Sequence, residues 1–153
     1  MGVPSSPPWT VTLEVTAILP APATALVGIV LYDSGSGKLI SFELQADGSA
    51  TAWEIYTWNS VTSPVTQLID TPIAVYSENR WLRVHNDGTN LTFYVSQTGA
   101  DWVELYQQPV TTFLPAISGA GVGFDLNTSG ADSLIINVWT FEITTGAGTD
   151  TTW

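Results

Sequence analysis

Trp81, Arg83 and His85 fall at alternate positions of WLRVHN, and Tyr94 lies in the following segment, NLTFYVS. Tyr56 and Trp58 alternate in the same way in TAWEIYTWN, on the side opposite Trp53 and Ile55. Aromatic rings with a polar handle beside cations and amides suit sugars, whose C–H faces stack on rings while their hydroxyls hydrogen-bond. Trp81, Arg83, His85, Tyr94, Tyr56 and Trp58 are therefore the candidate carbohydrate-binding residues. The competing reading is that such aromatics lie under another sheet, loop or subunit. In TAWEIYTWN one aromatic pair belongs to the core and the other is free for contact, and the pattern does not say which.

Catalysis is harder to assemble. Glycoside hydrolysis needs two carboxyl groups roughly 5–9.5 Å apart across a cleft. Glu43 and Glu54 sit on successive strand-like segments, and only their register would bring them together; Glu54 by itself reads as a solvent-facing strand residue. His85 is the only histidine, and no Gly-x-Ser-x-Gly elbow accompanies it. The catalytic set is expected to be empty. With no cysteine and one histidine, transition metals have no ligand set. Calcium has a candidate in Asp125-Leu-Asn127-Thr-Ser129-Gly130, where oxygen ligands alternate and a glycine follows as at the start of an EF-hand loop, with Asp125, Asn127 and Asp132 as the candidate ligands. Ile136 stands where the closing bidentate Glu would be, so no cofactor is expected.

The elements that must position these residues follow period two. In WTVTLEVTA the residues Trp9, Val11, Leu13 and Val15 share one face. ALVGIVLY is apolar throughout, as in a strand covered on both sides. Gly, Asn, Asp and Pro punctuate at strand-length intervals, giving about ten strands, with a short helical turn in TTFL near Phe113. Asp87-Gly88 predicts a type I′ turn that pairs Val84 with Leu91, Leu82 with Phe93 and Trp81 with Tyr94. Leu82, Val84, Leu91 and Phe93 then face the core, and Trp81, Arg83, His85 and Tyr94 face outward. The expected fold is an all-β antiparallel jelly-roll sandwich over residues 9–143. A Pro-rich arm (1–8) and a C-terminal arm (144–153) flank it, with Val3, Pro4, Pro7, Pro8 and Trp153 as candidate assembly contacts.

The 153 residues suffice for one domain with its own core. Net charge is −11, and Lys38, Arg80 and Arg83 are the only cations. Three cations cannot form the basic surface that nucleic acid or an anionic membrane requires. MGVPSSPPW carries no apolar h-region, so no signal peptide is expected, and the longest apolar run is too short for a membrane span. Gly2 and Ser6 match the spacing of an N-myristoylation signal, although Pro4 favours a plain arm.

WLR-x-x-x-DGT-N-L, then a Ser96-x-x-Gly99-x-x-Trp102 loop and a Gly121-Val-Gly123-Phe124 strand, resemble the concanavalin A-like lectin/glucanase superfamily. The nearest likeness is to laminin-G-like jelly-roll modules of bacteriophage tail and virion proteins and of bacterial secreted proteins. Trp81, Leu82, Arg83, Asp87 and Gly88 carry the first part of the pattern, which runs from about Trp9 to Ile143. The loop departs from it, because Thr98 stands where the family has Asp. The resemblance implies a non-enzymatic virion protein, a capsid decoration (cement) or tail-associated subunit. Its arms would contact other virion subunits in a homo-oligomer, a trimer among the options. The alternative it implies is an adhesin module that binds a surface glycan.

Overall fold

The computed structural model describes residues 1–18, 24–46, 51–73, 81–127 and 135–146. Ten strands lie among them: β1 (Trp9–Ile18), β2 (Thr24–Tyr32), β3 (Leu39–Ala46), β4 (Thr51–Ser60), β5 (Ser63–Ile73), β6 (Trp81–Asn86), β7 (Asn90–Ser96), β8 (Val103–Pro109), β9 (Gly119–Asn127) and β10 (Ile135–Thr145). They form two five-stranded sheets, β10-β1-β6-β7-β8 and β5-β4-β3-β2-β9. Every described pairing is antiparallel. Among the described residues there is no helix, and so none long and apolar enough to cross a membrane.

Alternation decides which side chains meet between the sheets. Trp9, Val11, Leu13 and Val15 of β1 are buried, as are Leu82 and Val84 of β6 and Leu91, Phe93 and Val95 of β7. The facing sheet contributes Val27, Ile29, Leu31, Ile40, Phe42, Trp53 and Ile55. Phe42 joins the two layers. Its ring centroid lies 5.6 Å from Phe93, edge to face, and 6.0 Å from Trp53. Trp53 and Ile55 are thus the core pair of β4, which leaves Tyr56 and Trp58 outside. The apolar run of β2 has the same logic: Val27, Ile29 and Leu31 enter the core, while Leu26 and Val30 floor a groove on the outer face.

The β6–β7 hairpin corrects the expected register. Arg83 pairs with Tyr94, Val84 with Phe93, Leu82 with Val95 and Trp81 with Ser96. The turn is centred on Gly88-Thr89, one residue later than the Asp87-Gly88 reading. Only Gly88 has positive φ, 96°, which suits a glycine at the first central position and rules out type I′. Asp87 acts before the turn: its Oδ1 accepts the Thr89 and Asn90 amides, each at 2.7 Å. Every partner moves by two residues, so every side chain keeps its expected face.

The amides of Asn90 and then Thr89 hold the Asp87 carboxyl below its ordinary 3.8. A depressed folded-state value stabilises the turn above the unfolded value, and the contribution is lost as pH falls through the lower one. The turn is therefore expected to loosen below about pH 4. Amide proton shifts of Thr89 and Asn90 should titrate together there; flat shifts down to acid unfolding would refute it.

The N-terminal arm lies on its own chain. The Met1 amino group donates to the Ala120 carbonyl at 2.8 Å, the Ala120 amide returns a bond to Met1, and Gly2 bridges Gly119. Val3 packs on the core, Pro7 lies 3.1 Å from where a Gly88 Cβ would stand, and the Pro8 carbonyl accepts the Gly146 amide. Pro4 is half-buried. Trp153 lies outside the described residues. In place of the short helical turn expected near Phe113, residues 110–113 form a hydrogen-bonded turn without helix, the Thr112 amide donating to the Pro109 carbonyl.

β1 packs across the core on β2, and the edge strands β10 and β9 lie beside them. That edge is apolar and open: Phe124 is 70% exposed and Trp139 66%, with Ile135 and Val138 also exposed.

Candidate functional site

The six candidate sugar-binding residues separate onto two outer faces. Trp81, Arg83, His85 and Tyr94 lie outside β10-β1-β6-β7-β8, whereas Tyr56 and Trp58 lie outside β5-β4-β3-β2-β9. The core stands between them, so they cannot touch one ligand.

On the first face the chain covers its own Trp81. The Ser96–Trp102 loop folds back over β6. The Ser96 hydroxyl accepts the Thr98 and Gly99 amides at 3.2 and 2.9 Å. The Thr98 hydroxyl accepts the Ala100 and Asp101 amides at 3.1 and 3.3 Å. This sets Gly99 on the Trp81 indole and Trp102 over Arg83, whose guanidinium carbon lies 3.8 Å from the ring centroid. His85 Nδ1 and the Thr10 hydroxyl share a 2.9 Å hydrogen bond. The motif loop is a strap that holds Trp81 and Arg83.

The strap depends on Gly99, which has φ 80°, and a Cβ there would stand 2.9 Å from the Trp81 ring. Gly99→Ala is expected to cost about 1–3 kcal/mol, from positive φ and overpacking together. A urea midpoint equal to the parent's would show that the strap is slack.

The second face holds an open groove of about 460 Å³. Leu26, Val30 and Leu39 contribute its apolar surface and Ser41 and Glu43 its polar part, while Trp58, Val61, Thr62 and Phe124 complete its walls. Trp58 is fixed: its Nε1–H donates to the Ser41 hydroxyl at 2.8 Å, and its ring lies 5.8 Å from Tyr56, tilted by 50°. The alternation of LISFELQA places Leu39, Ser41 and Glu43 on one face and could have exposed this half of the groove. Val61 and Thr62 enter only through the β4–β5 turn, and Phe124 only through the β9–β2 pairing.

Register also builds an acidic row. Gly28, Gly123, Glu43, Glu54 and Asp70 lie abreast across five strands. Glu43 is 5% exposed and Glu54 3%, so Glu54 is not the solvent-facing residue that alternation suggested. Gln67 Nε2 donates to Glu54 Oε1 at 2.9 Å. Burial first, and then the charges of Glu54, Asp70 and Glu43, push the Tyr56 hydroxyl above its ordinary value of 10.0.

Among the described residues no group of three or more His, Cys, Asp or Glu side chains is placed to hold a metal ion. Asp125 and Asn127 belong to the last turnless stretch of β9, paired with Leu26 and Thr24, instead of an open loop. Asp132 lies outside the described residues.

No family model matches the chain, and no curated protein matches it. Solved structures do match. The fold is an antiparallel jelly-roll β-sandwich. It is similar to the CBM2 module of the evolved Dit of Lactobacillus casei BL23 phage J-1, with TM-score 0.68 and 14% identity over 92% of this chain and 62% of that one. It is similar to a functionally unknown protein from Saccharomyces cerevisiae, with TM-score 0.66 and 18% identity over 97% and 72%. It also matches a xylan β-1,4-xylosidase from Bacillus halodurans, with TM-score 0.65 and 17% identity over 90% and 28%. The chain thus spans under two thirds of the phage module and of the xylosidase. At these identities the likeness is one of fold.

Proposed function

We propose that this chain is a carbohydrate-binding module of concanavalin A-like type and that its site is the groove beside Trp58. The observation that carries the reading is an indole locked by Ser41 at the edge of an open groove with an apolar floor and a few polar groups, the make-up of a ligand pocket. The phage module and the xylosidase named above support a connection with carbohydrate. The opposite face, where Trp81 and Arg83 lie under the strap, is the weaker candidate.

A binding role suits the carboxylates better than hydrolysis. Glu43 lines the groove and Glu54 does not, so a sugar in the groove meets one carboxyl group instead of lying between two. A glycan array probed with and without calcium tests the reading. Selective signals support it, a blank array in both conditions overturns it, and calcium dependence would bring the Asp125 end of β9 back into question.

The second reading is a virion-borne subunit, capsid decoration or tail-associated, and the phage origin of one similar module favours it. Other virion subunits and further copies of this chain would then be its partners. A purified protein that stays monomeric and fails to sediment with particles would remove it.

A further inference from the structure

We infer that the groove takes a stretch of an extended, linear glycan that runs on past the edge of the sheet, and not a single terminal sugar. The inference rests on the carbohydrate reading and adds the form of the ligand to it. The groove is not confined to the surroundings of Trp58. It is lined from four neighbouring strands, by Trp58 on β4, Leu39 and Ser41 on β3, Val30 on β2 and Gly123 on β9. Three strand spacings separate β4 from β9, about 14 Å. Register adds an offset along the strands. Trp58 is level with Leu39, whereas Gly123 is level with Gly28 and, through it, with Glu43. Leu39 and Glu43 are about 13 Å apart along β3. The path from Trp58 to Gly123 is therefore oblique, and a ligand that touches both is longer than one sugar ring.

The β9 end of that path is open. β9 is the last strand of its sheet, and the described backbone bonds on its free side are those of Met1 and Gly2 at Gly119 and Ala120. Beyond them, on the face that carries the groove, Gly121 pairs with Val30 and Gly123 with Gly28. Gly28 and Gly123 each have a packing reason. A Cβ on Gly28 would meet the β3 backbone, and one on Gly123 would meet the Val30 side chain. Gly121 has neither a packing nor a conformational reason. A Cβ there would have no neighbour within 4 Å, and its φ is not positive. Glycine weakens a strand interior and often marks a place where a ligand approaches the backbone closely. At Gly121 it leaves a low sill at the edge of the sheet, over which a chain leaving the groove can pass.

The test is NMR titration of the intact chain, following the Trp58 indole N–H and the Gly121 and Gly123 amides. The probes are the disaccharide, hexasaccharide and soluble polymer of β-1,4-glucan and of β-1,4-xylan, and the same series of any other glycan that the array selects. Of the three signals, the disaccharide should shift the indole alone. The hexasaccharide should shift the indole and both amides and bind about tenfold tighter or better. Gly121→Val fills the open space above the sill. It should keep or raise the urea midpoint of the parent and bring the hexasaccharide to within about threefold of the disaccharide. A hexasaccharide that moves the indole and leaves both amides still, or that binds no better than the disaccharide, would overturn the inference and leave the carbohydrate reading standing. Failure of every probe, together with a blank array, would overturn both.

Discussion

Trp58→Ala is expected to weaken binding of whichever glycan the groove takes by at least tenfold, with the sandwich intact by circular dichroism. Trp58 lies outside the core, so its removal takes away a stacking surface and leaves the interior as it was. Tryptophans that anchor a binding site commonly account for about 2 kcal/mol or more on truncation, and 1.4 kcal/mol is already tenfold. The geometry adds a control. Trp58→Phe keeps a ring but loses the 2.8 Å bond from Nε1 to Ser41, so the ring is no longer pinned. Its affinity should fall between parent and alanine. Trp81→Ala should leave glycan binding in place, because the strap, and not the groove, depends on it. Calorimetry on the three variants decides the matter. A loss confined to Trp81→Ala would move the site to the other face.

Gly28→Ala should be the most damaging small substitution in the described residues. A Cβ at Gly28 would stand 1.9 Å from the Phe42 carbonyl oxygen and 2.7 Å from the Glu43 Cα, both backbone atoms of the neighbouring strand. β2 is flanked by β3 and β9 and cannot step aside without opening one ladder. Overpacking against movable side chains costs about 1–3 kcal/mol, and against backbone the loss should exceed about 3 kcal/mol. That is a large part of the roughly 5–15 kcal/mol that holds a domain of this kind together. Gly123→Ala is the informative contrast. Its Cβ meets side-chain atoms of Val30, Cγ2 at 2.3 Å and Cβ at 3.6 Å, and a change of the Val30 rotamer relieves that contact without moving backbone. Urea titration should show a large fall in midpoint for the first variant and a small one for the second. Similar midpoints would mean that β2 and β3 separate more easily than their pairing indicates.

The hairpin shows what alternation can and cannot reveal. Burial obeys parity, so Leu82, Val84, Leu91 and Phe93 were readable as core from spacing alone. Partner identity depends on which residue opens the turn, and that hung on the Asp87 carboxylate accepting two amides from a position before the turn. A slide of two residues leaves parity untouched, so the inside and outside of the sheet came out correctly while every cross-strand partner changed. The same limit applied to the site. Tyr56 and Trp58 were legible as a pair, but whether they faced in or out waited on Phe42 filling the space against Trp53 and Phe93. Glu43 and Glu54 lie eleven residues apart in sequence and become neighbours only through the β3–β4 ladder. Which sheets carry Trp81 and Trp58 was not legible either, because alternation within a strand carries no information about which sheet the strand joins.

The open edge between β9 and β10 has a practical consequence. A folded protein that presents Phe124, Ile135, Val138 and Trp139 to water offers an environment-sensitive dye a place to settle before any unfolding begins. Dye fluorescence would then start high and change little through the melt. Intrinsic emission has a complementary bias, since Trp9 and Trp53 report from the interior while Trp139 is already wet. Stability comparisons among variants of this chain are therefore better followed by backbone dichroism, which responds to the ladders themselves.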